Sequence, residues 1–101
     1  MSRDIVRKSV RDELSRWQNG RCFYCTLPFI NDGGRYHPRR VSFDHIKLAI
    51  DGGEISLENG VAACRDCNWL RGDMPFDEFC RDQGFEPDRA ARFKFLCEAV
   101  K

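Results

Sequence analysis

Two Cys-x-x-Cys pairs, Cys22-Phe-Tyr-Cys25 and Cys64-Arg-Asp-Cys67, stand thirty-eight residues apart. They constrain this chain more than any other feature. A two-residue spacer lets each knuckle turn its backbone N–H groups towards sulfur, so two knuckles can bring four thiolates to one ion. Zn2+ favours that closed, soft, four-coordinate set. A redox pair would call instead for one Cys-x-x-Cys on a thioredoxin-like βαβ pattern, which the sequence lacks. Four thiolates leave no open coordination position, so the expected ion is structural. A chain of 101 residues holds one compact domain, 1–101, with a thin core. Structural zinc can offset that weakness, since its binding contributes about 10–16 kcal/mol in small domains. The remaining cysteines, Cys80 and Cys97, fall on apolar helix faces and read as small buried hydrophobes.

The redox setting follows from the same residues. Unbroken apolar runs are short, Val61-Ala62-Ala63-Cys64 being among the longest, which argues against a membrane span or a signal-peptide core. The expected location is cytoplasmic, where six cysteines point to metal or thiol chemistry rather than disulfides. A net charge of +1 excludes a histone-like polyanion binder, yet charge is unevenly spread. Through Lys47 there are ten basic residues against five acidic ones, and beyond it seven against eleven. Thirteen of the seventeen basic residues are arginine, whose planar fork suits phosphate. That bias points towards a polyanionic partner.

The pattern along the chain predicts an α+β order of helix, hairpin, helix and two closing helices. Ile5, Val6, Val10, Leu14 and Trp17 recur at nearly helical spacing, with Asp4–Lys8 and Asp12–Arg16 as i,i+4 pairs, and Asn19-Gly20 as the stop. The stretch from Asn31 to Arg40 reads as a loop. Val41 to Ile46 alternates like a short strand, Asp51-Gly52-Gly53 marks a turn, and Gly60-Val-Ala-Ala is a second strand. A helix is expected from about Arg65, another from Pro75 to Gly84, and a last one from Pro87.

Between the knuckles lie Asp44-His45, then Asn59, then Asn68 directly after Cys67. Each alone is ordinary: a paired strand residue, a turn residue before glycine, a solvated helix residue. Together they supply what phosphodiester hydrolysis requires. That chemistry needs a base titrating near neutrality, a group fixing the base's tautomer, and oxygen ligands for a hard cation. With two histidines in the chain, His45 has little competition as the base, and His37 reads as an exposed loop residue.

Arg-Cys-x-x-Cys, Asp-His-Ile, Gly-Gly, Asn and Cys-x-x-Cys-Asn-x-x-Arg-Gly-Asp-Met, taken in order from Arg21 to about Phe79, resemble the HNH endonucleases. The resemblance is to the branch with four zinc-binding cysteines around a ββα-metal core, with Asn68 where the name-giving pattern closes on His. It implies a small zinc-stabilised domain, that core being flanked by an N-terminal helix and two C-terminal helices. It also implies roles. Asp44 and Asn68 would hold a catalytic Mg2+ or Mn2+, His45 would be the general base, and the Asn59 side-chain oxygen would orient it. The implied activity is hydrolysis of DNA, double-stranded and nicked one strand at a time. A double-strand break would then need a dimer or a partner protein.

One tension is visible in the sequence itself. Neighbours on a strand point to opposite faces, yet Asp44 and His45 are both assigned to one phosphate, so the strand is expected to end or bend there. Arg35, Arg39 and Arg40 in the loop, and Arg71 one turn after Asn68, are candidate phosphate contacts. Arg3, Arg7 and Arg11 form a stripe that reads as a solvated helix face. The rival reading is a zinc-knuckle module that binds nucleic acid or protein without cutting. The Asp44–His45–Asn59–Asn68 set discriminates, because a pure binder has no reason to keep it.

Overall fold

The computed structural model of the chain describes residues 3–84. Helix α1 (Arg3–Trp17) leads into a long loop. Strand β1 (Val41–His45), a short 3-10 turn at Ala49–Asp51, strand β2 (Gly60–Cys64), helix α2 (Arg65–Arg71) and helix α3 (Phe76–Gln83) follow. The expected final helix from Pro87, with Cys97, lies outside the described residues.

The strands form an antiparallel pair with Val41 opposite Cys64 and His45 opposite Gly60. Their alternation splits the core in two. Val41, Phe43 and Ala62 face α1, packing against Leu14 with Val10 and Trp17 beside it. Val61 and Ala63 face the other way, onto Phe23, Tyr24, Phe76, Phe79 and Cys80. This second layer is aromatic, with edge-on contacts of 5.2 Å for Phe23–Tyr24 and 4.9 Å for Tyr24–Phe79. Such pairs are worth about 0.5–1.5 kcal/mol beyond the area they bury. Close packing dictates Gly60: a Cβ there would come within 2.1 Å of the Phe43 ring.

Helix α1 ends as its sequence foretells, with Asn19 and Gly20 both at positive φ. Two details differ from expectation. Ile5 is exposed, because the layer beneath α1 is short and only the helix's C-terminal half reaches it. Arg16 pairs with Glu13 at i,i+3 rather than with Asp12, which instead meets Arg11 at 3.1 Å.

Gln18, just past the helix, closes the outer edge of β2. Its amide accepts from Ala62 N–H at 3.0 Å and donates to Ala62 C=O at 2.8 Å. This satisfies the N–H of an edge residue that is fully buried, whose C=O accepts from Phe23 N–H at 3.0 Å as well. The Arg-rich loop is anchored onto α2. Arg65 N–H donates to Arg40 C=O and Asp66 N–H to Pro38 C=O, both at 2.9 Å, which fills two of the donors a helix start leaves free.

Candidate functional site

The four cysteines of the two knuckles converge. Their sulfurs all lie within 4.8 Å of one another, and Cys25 and Cys64 are 3.9 Å apart. A tetrahedral zinc with Zn–S near 2.3 Å sets its sulfurs about 3.8 Å apart, so the donor set fits such an ion in both chemistry and size. The Cys64 N–H points at Cys22 Sγ, 3.3 Å away, the backbone-to-sulfur contact that favours thiolate. Proton sharing is uneven. Cys22 is held down to about 5, foremost by the hydrogen bond from Cys67. Burial pushes Cys64 up to about 11, and Cys67 rises because its own proton serves Cys22. Cys80 stands apart from this group, fully buried in the aromatic layer.

On β1, Asp44 and His45 diverge. Asp44 turns into the aromatic layer and is 4% exposed. Tyr24 Oη donates to its Oδ2, and Arg71 Nη1 donates to its Oδ1 at 2.8 Å. Burial pushes the Asp44 carboxyl up from its ordinary range, while Arg71 and Tyr24 pull it back. Burial likewise raises Tyr24, with the Asp44 charge adding to it. His45 is half-buried and sets its ring edge-on to Phe43, with centroids 4.8 Å apart.

Arg71 is the hub of this region. Besides Asp44, its guanidinium donates to Met74 C=O at 2.9 Å, to Ile46 C=O at 3.1 Å and to His45 C=O. Its side chain is wholly buried. The expectation that Arg71 touches phosphate is therefore corrected: the guanidinium is consumed inside the fold, where it fixes the end of β1. The cation pair assigned to Asp44 and Asn68 is corrected with it. Both Asp44 oxygens are engaged, one of them by a positive group, so Asp44 as placed does not fit a divalent ion. Asn68 does. Its Nδ2 donates to Ser42 Oγ at 3.0 Å and to Phe43 C=O at 3.1 Å, and among the described residues no donor reaches its oxygen.

Asn59 is corrected as well. Its Oδ1 accepts from Lys47 N–H at 2.7 Å, and its Nδ2 donates to Lys47 C=O at 3.1 Å and Glu54 C=O at 2.8 Å. It ties the 46–59 loop shut directly behind His45 instead of bonding the imidazole. Gly53 makes this clamp possible, since a Cβ there would lie 1.8 Å from Lys47 O and 2.8 Å from the Asn59 amide. His37 is a loop staple, its Nδ1 accepting from Arg39 N–H at 3.0 Å.

Residues 22–73 match the family model of the HNH endonucleases, a span covering half of the chain. The chain belongs to the HNH endonuclease family. No curated protein and no solved structure matches it. The HNH match takes in both knuckles, β1, β2 and α2, so the ββα unit and its cysteine site are the family's part of the molecule. Helix α1 lies outside it. A nuclease-type domain working on nucleic acid is the activity that membership brings. Of the loop arginines, Arg35 and Arg40 border a cleft of about 380 Å3 that reaches Ser42, Phe43 and Asn68. Arg39 is not among its lining residues.

Sequence reasoning missed Tyr24 and Gln18. Tyr24 sits inside a cysteine knuckle and passed for a spacer. Gln18 is a single polar residue at a helix end, and nothing in its spacing marks it as the cap of a strand; only the fold brings it to Ala62, forty-four positions on.

Proposed function

We propose that this HNH domain is a metal-dependent endonuclease that nicks double-stranded DNA, with a structural Zn2+ on Cys22, Cys25, Cys64 and Cys67 and with His45 as general base. The observation that carries the reading is the fixing of β1's free edge around that histidine. Asn68 bonds Phe43 C=O, Arg71 bonds the carbonyls of His45 and Ile46, and Asn59 locks the loop that follows. A half-buried imidazole on so constrained a backbone is held for proton transfer.

In the reaction, the His45 imidazole takes a proton from water as the water oxygen bonds to phosphorus. The bond from phosphorus to the 3′ oxygen breaks, leaving a 5′-phosphate and a 3′-hydroxyl once that oxygen is protonated from solvent. Mg2+ or Mn2+ supplies Lewis acidity to this chemistry when bound, and Asn68 is the residue of this site with an oxygen to give it. One base serves one strand per encounter, so duplex cleavage takes a dimer or a partner protein.

A specific observation favours the second reading, a binding module without cleavage: the carboxylate assigned to the cation is spent on Arg71 and Tyr24. Supercoiled plasmid separates the two. Zinc-loaded protein with Mg2+ or Mn2+ should give open circles before linear DNA. His45→Ala should abolish nicking while zinc content and melting temperature stay put, because a base acts on the transition state and not on the core. Wild-type protein that binds plasmid but never nicks it would establish the binding module.

A further inference from the structure

The cleft beside β1 has a wall that the family match does not cover. Arg7 and Arg11, one turn apart on α1, line it together with Arg35, Arg40, Arg65 and Asn68. No acidic residue contributes to its lining. Resting on the nuclease reading above, we propose that α1 is part of a nucleic-acid clamp: Arg7 and Arg11 grip the phosphodiester backbone of the same strand that Arg35, Arg40 and Arg65 hold.

Three observations carry this. The arginines come from three separate elements, α1, the loop and α2, yet line one space that no acidic side chain lines, so like charges have been gathered where an anion is favoured. Two of them are held in place by the fold. Arg65 Nη1 donates to Arg35 C=O at 3.1 Å and Arg40 Nη1 to Asn31 C=O at 3.1 Å, each leaving further N–H groups to present. Arg11 is steadied by Asp12 at 3.1 Å. Finally, Tyr36 is 73% exposed and carries the guanidiniums of Arg35 and Arg65 over its ring, 5.6 and 5.1 Å from its centre. The ring gathers the two cations by cation–π attraction. Arg7 and Arg11 are separated by about 6 Å along the helix axis, on the scale of neighbouring phosphates in a strand. An extended polyanion fits such a row better than a compact one. Arg7 and Arg11, read from sequence as part of a solvated face, thus line the cleft.

The test measures binding apart from cutting. Fluorescence anisotropy with a labelled DNA duplex is run on His45→Ala protein, with and without Arg7→Gln/Arg11→Gln, across a salt series. Loss of two phosphate contacts should weaken binding about tenfold at low salt and flatten the slope of log K against log salt by about 1.8. Arg16→Gln, on the Glu13-paired side of α1, should bind as the parent does. Arg7→Glu alone, at an exposed position that leaves packing intact, should weaken binding further than Arg7→Gln. Unchanged affinity and slope in the double variant would overturn the clamp, as would equal competition by polyglutamate of matched charge. The two readings fail separately. If the otherwise wild-type protein nicks plasmid and the double variant nicks it equally well at every salt concentration, the clamp falls and the nuclease stands. If the double variant loses binding and wild-type protein never nicks, the clamp stands and the nuclease falls.

Discussion

Arg71→Met removes one guanidinium and with it bonds to Asp44, Met74, Ile46 and His45. Methionine replaces much of the aliphatic stem, so the change isolates the polar loss. Breaking a buried ion pair from one side costs about 3–5 kcal/mol, because the partner's charge stays behind uncompensated. Here that partner is 5% exposed at its side chain and would retain only Tyr24. A small domain has about 5–15 kcal/mol of stability in total, so the loss should be plain in urea unfolding followed by circular dichroism at fixed free zinc. The sign of its pH dependence is set by Asp44. Burial already raises that carboxyl, so the proton favours the folded state. Taking away Arg71 raises it further. The deficit should therefore be largest at neutral and higher pH and shrink as pH falls towards the ordinary carboxylate range. Asp44→Asn/Arg71→Met should be less damaging than the two single changes added together, with a coupling of about 1–3 kcal/mol. An Arg71→Met deficit below about 1 kcal/mol, typical of a surface arginine, would refute the buried hub. A matching loss in the salt slope of DNA binding would return Arg71 to the phosphate-contact role.

Cys22→Ser should lose zinc and native circular dichroism together, since the ion's binding energy is folding energy here; metal analysis with spectra decides it, and a zinc-free wild type with a native spectrum would sink the metal site. Acidification should release zinc cooperatively. Ligation needs the four sulfurs deprotonated, so release to a chromogenic chelator should grow as pH falls and the thiolates take up protons; full retention of the ion in strong acid would argue against thiolate ligands. Gln18→Ala should cost about 1–3 kcal/mol by stranding the Ala62 N–H in the core, while the Ala62 C=O keeps its bond from Phe23 N–H; urea unfolding within error of wild type would show that water replaces the amide.

What was legible in the sequence was local or strictly spaced. The knuckles, the helix stop at Asn19-Gly20, both strands and the start of α3 rest on two-residue spacers, backbone preferences and alternation, all of which act within a few positions. The partners of Asp44, Arg71 and Asn59 were not legible, because the same residue types serve a surface site or a buried network equally well. Asp44 next to His45 says nothing of which face turns inward. That depends on Tyr24, twenty positions earlier, and Arg71, twenty-seven later. The place of Arg7 and Arg11 beside a cleft was not legible for a related reason. A helical stripe of charge looks the same whether it meets solvent or closes a cleft, and the loop that supplies the facing wall has no periodicity to announce where it lies.

The divergence of Asp44 and His45 resolves the strand-end tension in an unexpected direction. The two side chains keep the alternation of an ordinary strand, with Asp44 inward and His45 on the face shared with Phe43. The bend needed after them is made by the backbone instead, where Arg71 gathers the carbonyls of His45 and Ile46 and Asn59 takes the next N–H and C=O at Lys47. Asp44 then acts through Arg71: its charge keeps the guanidinium in place, and the guanidinium keeps His45 in place. Ionic and metal bracing therefore divide the work. The cysteine cluster ties the first knuckle to the start of α2, and the Asp44–Arg71 pair ties the end of α2 to the end of β1. A two-stranded sheet is marginal alone, and these two ties, one at each end of α2, brace it around His45.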